Sequence, residues 1–353
     1  MKIFIVGSGK IGALEDFYTF YLREAGIEVY HFPALKLFSD YYYKNLINKI
    51  LFKSGLSSIY KQINYLFKKS VEDFQPDVVW VFKGMEIFPS SLKWAKNKKL
   101  KLINYNPDSP FIFSGSGSGN KNITESLALY DFHFTYNLSV KKQIEEEYKI
   151  PTFFLPFGYD VSQEMYNKCC RENEIEKACF VGNPDRHRAD FLNALAEQGI
   201  ELDVYGNNWK KFIQHKNITI FPPVIYGDEF WKTLRKYRVQ LNLMRSHNLD
   251  SHNMRSFEVP GIGGIMLAPD TTEHRMFFEN EKEVFLFSDA VSCGEQIKKV
   301  IFLSKLQANQ IREAARNRSL HSGYSYKDRT LYALKEIRSF FEAVAVNKKE
   351  LSN

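Results

Sequence analysis

Short apolar runs recur along the chain, each ending at glycine, proline, asparagine or aspartate and each followed by residues with helical spacing. Lys2-Ile-Phe-Ile-Val6 is the first, and a helix is predicted from Ala13 to Ala25 behind it. Glu28–Phe32, Asp77–Phe82, Leu102–Tyr105 and Asp131–Tyr136 follow as strands of one sheet. Uninterrupted apolar runs of this length suit strands of a parallel sheet buried on both faces. Thr152–Asp160 closes the first half, and Pro156, Gly158 and the polar run to Lys177 mark a junction. The same grammar then restarts. Lys177–Gly182, Glu201–Tyr205, Ile218–Phe221, Val239–Leu243 and Gly264–Ala268 read as strands, with a helix over Ala189–Gln198. Strands alternating with helices twice over predict two doubly wound α/β domains facing each other.

The stretch from Arg255 to Asp270 carries the densest chemistry. It reads as a short helix, a glycine hinge and a buried strand, with Arg255 and Glu258 three apart on one helical face. Gly261, Gly263 and Gly264 permit a tight turn or a close approach of ligand to backbone. A carboxylate beside a guanidinium suits the paired hydroxyls of a ribose next to a phosphate, and it equally suits a surface ion pair at a helix start.

Composition narrows the class. A chain of 353 residues is too long for one ordinary core, and 44% hydrophobic with 25% charged residues is that of a soluble globular protein. No apolar run reaches membrane-spanning length, and the amino terminus is a strand running into glycine, without the features of a signal peptide. Cys169, Cys170, Cys179 and Cys293 lack metal spacing, which points to reduced thiols and a cytoplasmic location. The net charge of +7 suits an anionic ligand or an anionic membrane surface. No nucleic-acid partner is expected.

Gly7-Ser-Gly9-Lys-Ile-Gly12 follows the first strand at once and matches the dinucleotide fingerprint G-x-G-x-x-G. A nicotinamide site also wants an acid at the end of the second strand, where this chain has His31 and Phe32. An NAD(P)-dependent oxidoreductase is therefore the alternative reading. Past the third strand come Lys83 and Glu86, and past the fourth comes Asn106-Pro-Asp108-Ser-Pro110. These are the carboxylates of the first half best placed for chemistry, although Asp108 is also an ordinary turn former. Ser114–Gly119 is a glycine-serine loop that either closes over a ligand or is a plain excursion. From Tyr41 to Lys69 the chain is helical in character, aromatic and lysine-rich. That pattern fits either a packed helix pair with a solvated basic face or peripheral contact with the inner face of a membrane.

The order of these pieces resembles the CgeB-like (spore maturation protein) group of GT-B glycosyltransferases. The residues that carry the likeness are Phe180-Val-Gly182 with Arg186 and Arg188, Val204-Tyr-Gly206-Asn207-Asn-Trp209, Leu241-Asn-Leu243, Arg255-Ser-Phe-Glu258 with Gly263-Gly264, and His321 to Arg329. Asn106–Pro110 and Leu155–Asp160 resemble the first half of the same group. The resemblance implies a GT-B fold of two Rossmann-like domains across a cleft. Residues 1–160 would form the acceptor-side domain and 161–330 the nucleotide-sugar donor domain, with 331–353 a C-terminal helix or tail. It implies transfer of a sugar from a UDP- or GDP-linked donor to a glycan, a lipid-linked or another hydroxyl acceptor, with no cofactor and no metal. Glu258 matches the glutamate that holds the donor ribose. Asp250, eight residues earlier, falls where many retaining relatives carry a first glutamate. Arg186, Arg188 and Arg255 are the diphosphate candidates, with Gly182, Asn207, Gly263 and Gly264 completing the donor site. Gly9, Gly12 and Lys83 are placed on the acceptor side.

Expelling a diphosphate requires cations at the leaving oxygen. If a side chain deprotonates the acceptor, it should come from the first domain: Asp108 is expected first, Glu86 second, and Glu15 or Asp16 third. A retaining enzyme needs no such base, and a non-catalytic sugar-nucleotide-binding protein remains a third reading. His187, His247 and His252 are either pocket or solvated residues, and Tyr324 and Tyr326 are expected to pack, bracing one domain on the other.

Overall fold

The computed structural model describes residues 1–10, 12–113, 117–245 and 250–350, with side chains to 343. The chain divides into two compact units. One is Met1–Pro156 with the segment from Tyr326 onward, and the other is Phe157–Ser325.

The first unit holds β1 (Lys2–Gly7), β2 (Glu28–Pro33), β3 (Val78–Phe82), β4 (Lys101–Asn106), β5 (Phe132–Thr135) and β6 (Thr152–Phe154). Every pairing is parallel, in the order β2-β1-β3-β4-β5-β6. The apolar runs became central strands because both faces are covered: all five residues of β3 are buried. On one side Phe4, Phe32 and Phe67 form an aromatic core with the helix Ile59–Phe74. On the other, the helix Leu14–Glu24 packs against the C-terminal helix Tyr326–Glu350, with Phe17 and Tyr326 stacked 4.4 Å apart. Tyr326 is thus a core residue of the first unit. Tyr324 belongs to the second, where its hydroxyl donates to Phe277 O and its ring meets Phe257 and Phe278.

The second unit holds β7 (Ile175–Val181), β8 (Leu202–Tyr205), β9 (Ile218–Phe221), β10 (Tyr237–Leu241), β11 (Met266–Pro269) and β12 (Phe285–Phe287), again all parallel. The order β12-β11-β10-β7-β8-β9 places the reversal of strand order between β7 and β10. In the first unit the reversal falls between β1 and β3. Strands β6 and β12, three residues each, are additions to the strands predicted from the sequence, since edge strands this short carry too little apolar pattern to read.

Candidate functional site

In an open parallel sheet, ligands bind beyond the carboxyl ends of the strands where strand order reverses. In the second unit that edge is made by the exits of β7 and β10. The exit of β7 is Gly182-Asn-Pro-Asp185, and Asp185 caps the helix Arg186–Glu197 by accepting from Arg188 N at 3.0 Å. The exit of β10 is Asn242-Leu-Met-Arg245. Arg188 ties the two together: its Nε and Nη2 donate to Leu243 O at 3.1 and 2.8 Å, and its Nη1 donates to Asn183 O at 3.1 Å. Burial, with Arg245 and Arg255 nearby, pulls the Arg188 guanidinium down to about 10, so it stays charged at neutral pH. Three guanidinium groups therefore act on one another at the switch point, with Asp185 the counter-charge 3.6 Å from Arg188.

The helix Arg255–Gly261 starts beside this edge and is held there by a buried polar chain. Asn242 Nδ2 donates to Ser256 Oγ at 3.0 Å, and Asn253 Nδ2 donates to Asn242 Oδ1 at 2.7 Å. His274 Nδ1 lies 2.8 Å from Pro269 O and must donate to it, so its Nε2 accepts from Ser256 Oγ, also at 2.8 Å. Burial drives His274 down to about 4, consistent with this neutral tautomer. The effect is to fix Arg255 and Glu258. Arg255 Nη1 donates to the Glu258 carboxylate, and its guanidinium lies over the Phe230 ring at 4.4 Å. Glu258 is 7% exposed. Arg255 Nε, Asn253 Oδ1 and Asp185 Oδ2 are buried here without a hydrogen-bond partner.

The other residues singled out from sequence separate into groups. Gly182 lies on this edge, with its carbonyl accepting from Trp209 Nε1 at 2.9 Å, while Arg186 and Asn207 stand exposed along it. Asp250 is exposed in a turn outside the helix that carries Glu258, so the two carboxylates share no helical face. Gly263 and Gly264 require correction. They lead into β11 at its amino end, the opposite edge of the sheet from the arginines. A Cβ on Gly264 would come within 2.6 Å of Leu234 O, so these glycines serve close packing and not donor contact. His252 is fully buried, accepting from Phe157 N at 3.2 Å through Nε2 and donating through Nδ1 to Glu273 at 2.5 Å; it lines no surface. His247 lies outside the described residues, as does the first half of the glycine-serine loop, 114–116.

The first unit presents a second group at its own switch point. Glu15 lies buried against Gly7, and its carboxylate accepts from Ser8 N, while Asp16 accepts from Gly12 N at 3.0 Å. Two carboxylates thus occupy the loop amides that a dinucleotide pyrophosphate would need, and their charge repels one. This argues against the nicotinamide alternative on the side of the site itself. Gly9, with φ +67°, is further fixed by Pro33, whose Cβ lies 2.3 Å from where a side chain would start; Gly12 has φ +77° and open space around it.

Beyond β3, the loop Lys83–Phe88 is clamped from three directions. Asn64 Nδ2 donates to Glu86 O at 2.8 Å and its Oδ1 accepts from Phe88 N at 2.8 Å, while Asn120 and Asn122 both donate to Met85 O. Held this way, the Glu86 carboxyl is 7% exposed and pushed up to about 7, mainly by burial and further by Glu15, against the pull of Lys83 and Lys10. Asp108, expected first as a base, instead forms an ion pair with Lys83 Nζ at 2.7 Å, and that ammonium also donates to Gly117 O. Asp108 is thus engaged in an ion pair, while burial lifts the Glu86 carboxyl. Asn64, Arg245 and Phe230 had no motif around them; only the fold brings them to these edges.

Arg188 gives a stability prediction. Arg188→Met leaves the Leu243 and Asn183 carbonyls unpaired, and the fold should lose about 1 to 3 kcal/mol per buried group in urea denaturation. An unchanged midpoint would show that the arginine is no brace.

Residues 186–335 match the family model described as glycosyl transferase-like. No curated protein matches the chain in sequence. Among solved structures, sucrose-phosphate synthase from Thermosynechococcus elongatus is similar with a TM-score of 0.70 at 12% identity, covering 97% of this chain and 100% of that one. Anabaena HepE in complex with UDP gives 0.64 at 11% identity over 96% and 99%. The UDP-GlcNAc 2-epimerase from Neisseria meningitidis bound to UDP-GlcNAc gives 0.55 at 13% identity over 96% and 100%. The fold is GT-B, with two parallel six-stranded α/β units.

Proposed function

We propose that this protein is a glycosyltransferase that takes a sugar from a nucleoside diphosphate donor held in the second unit. The fold alone does not choose this reading, since a synthase and an epimerase share it. The observation that carries it is the cluster of Arg188, Arg245 and Arg255 with Glu258, inside or next to the segment that matches a glycosyl transferase-like family.

Each part has a physical task. The Glu258 carboxylate accepts hydrogen bonds from the two ribose hydroxyls. Arg255, stacked on Phe230, then stands beside the diphosphate, and the Arg188–Arg245 charge meets the negative charge that grows on the leaving oxygen. Guanidinium groups held in a half-buried site act there without a metal ion. Within the first unit Glu86 is the candidate to take the proton of an acceptor hydroxyl, because burial pushes its carboxyl up to about 7. Direct attack assisted by a base inverts the anomeric centre, so the reading commits to inversion. The acceptor is a glycan or lipid-linked hydroxyl.

A melting-temperature panel of UDP, GDP, CDP, TDP, NAD and NADP tests the donor class. One nucleoside diphosphate should stabilise the fold by mass action, about 2.7 kcal/mol at a hundredfold excess over Kd, and NAD and NADP should leave it unchanged. A shift with NAD or NADP alone would sink the proposal.

A further inference from the structure

The chemistry above leaves one conspicuous part of the first unit unused. The helix Leu46–Lys53 buries none of its residues. Leu46, Ile47 and Ile50 are 71%, 67% and 56% exposed, and their spacing puts them on one face. Tyr43, at 69%, and Leu56, at 75%, extend that apolar surface at either end. The helix is firmly placed nonetheless. Phe52, on the opposite face, packs its ring on Phe38, Tyr42 and Tyr60 at 4.8 to 5.6 Å, and Asn48 donates to Tyr41 O.

Charge decides what such a face meets. Between Tyr41 and Lys69 there are six lysines and no Asp or Glu. Lys44 and Lys53 project beside the apolar row, and Lys49 lies 5.2 Å from the Tyr43 ring. A second copy of the chain would set lysine against lysine, which opposes self-association. An apolar stripe rimmed by cations without anions fits an anionic lipid surface, where the aliphatic side chains enter the acyl boundary and the ammonium groups meet lipid phosphates. Among the described residues no helix is long and apolar enough to cross a bilayer, so the contact is lateral.

We infer that the segment Tyr43–Leu56 is a docking surface for an anionic membrane. Its position in the unit gives the contact a use. The helix Ala34–Tyr42 starts at the carboxyl end of β2, and Lys36 N donates to Ser8 O of the glycine loop, so the lipid-facing segment follows directly from the sheet edge that carries Glu86. Docking itself does not depend on the glycosyltransferase reading.

The test is co-sedimentation of the full chain with vesicles of phosphatidylglycerol mixed with phosphatidylcholine, and with phosphatidylcholine alone. Binding should require the anionic lipid and weaken as salt is raised. Leu46→Ser/Ile47→Ser/Ile50→Ser should abolish it with an unchanged melting temperature, since these side chains are already in water. Lys44→Gln/Lys49→Gln/Lys53→Gln should reduce partitioning by roughly fivefold per lysine. The inference fails if wild type stays in the supernatant at low salt, or if both variants sediment as wild type does. It also fails if sedimentation velocity without lipid shows a dimer that the serine variant breaks, because the face then belongs to a second copy.

Discussion

Glu86→Gln should lower turnover by about 100- to 10,000-fold while leaving donor affinity intact. The wild-type rate should rise with pH to a plateau along a limb centred near 7, the value to which burial lifts this carboxyl, and the limb should vanish in the variant. The same residue makes an independent prediction about stability. Its folded pKa is raised above the ordinary 4.5, so its contribution to folding is intact below pH 4.5 and lost as pH rises through about 7. Removing the charge by Glu86→Gln should therefore make the fold more stable than wild type by about 3 kcal/mol at pH 8, with the difference fading toward acid. Urea titrations at pH 8 and at about pH 4 read this directly. A variant that keeps its turnover would remove Glu86 from the mechanism. One that gains no stability at pH 8 would show that the carboxyl is not lifted.

Glu258→Gln should weaken nucleoside diphosphate binding by roughly 10- to 100-fold, the loss expected when charge-assisted hydrogen bonds to ribose become neutral ones. In a melting experiment at fixed ligand the nucleotide-induced shift should all but disappear. The unliganded variant is its own control, because Arg255 loses its carboxylate partner and some stability goes with it. Retention of the full shift would place the nucleotide elsewhere on the molecule. The two variants separate cleanly, since one is expected to spare binding and the other to remove it.

The architecture was legible because parallel strands buried on both faces have no choice but to be apolar, as all of β3 is. The Arg255–Glu258 pairing was legible too, because helical spacing is local information. What could not be read was set by contacts distant in sequence. Asn64 reaches Glu86 across 22 residues, and Arg188 reaches Leu243 across 55. Neither asparagine nor arginine announces such a partner. The glycine fingerprint was ambiguous for a related reason. Its backbone turn is present, but what fills a turn depends on the side chain folded over it, and here that is Glu15. Asp108 stood first among the base candidates in the sequence, and only the fold shows the Lys83 ammonium set against it.

The carboxyl-terminal helix has a bearing on how the polypeptide is made. Tyr326 completes an aromatic layer with Phe17 and Tyr18, residues that leave the ribosome about 300 positions earlier. The second unit lies wholly between these partners and can form as soon as it emerges, whereas the first must wait for the helix Tyr326–Glu350 to be translated. The order of maturation therefore runs opposite to the order of synthesis. Until the helix Tyr326–Glu350 is made, the unit bearing Glu86 carries an uncovered aromatic face, while the unit Phe157–Ser325 already has its whole sequence.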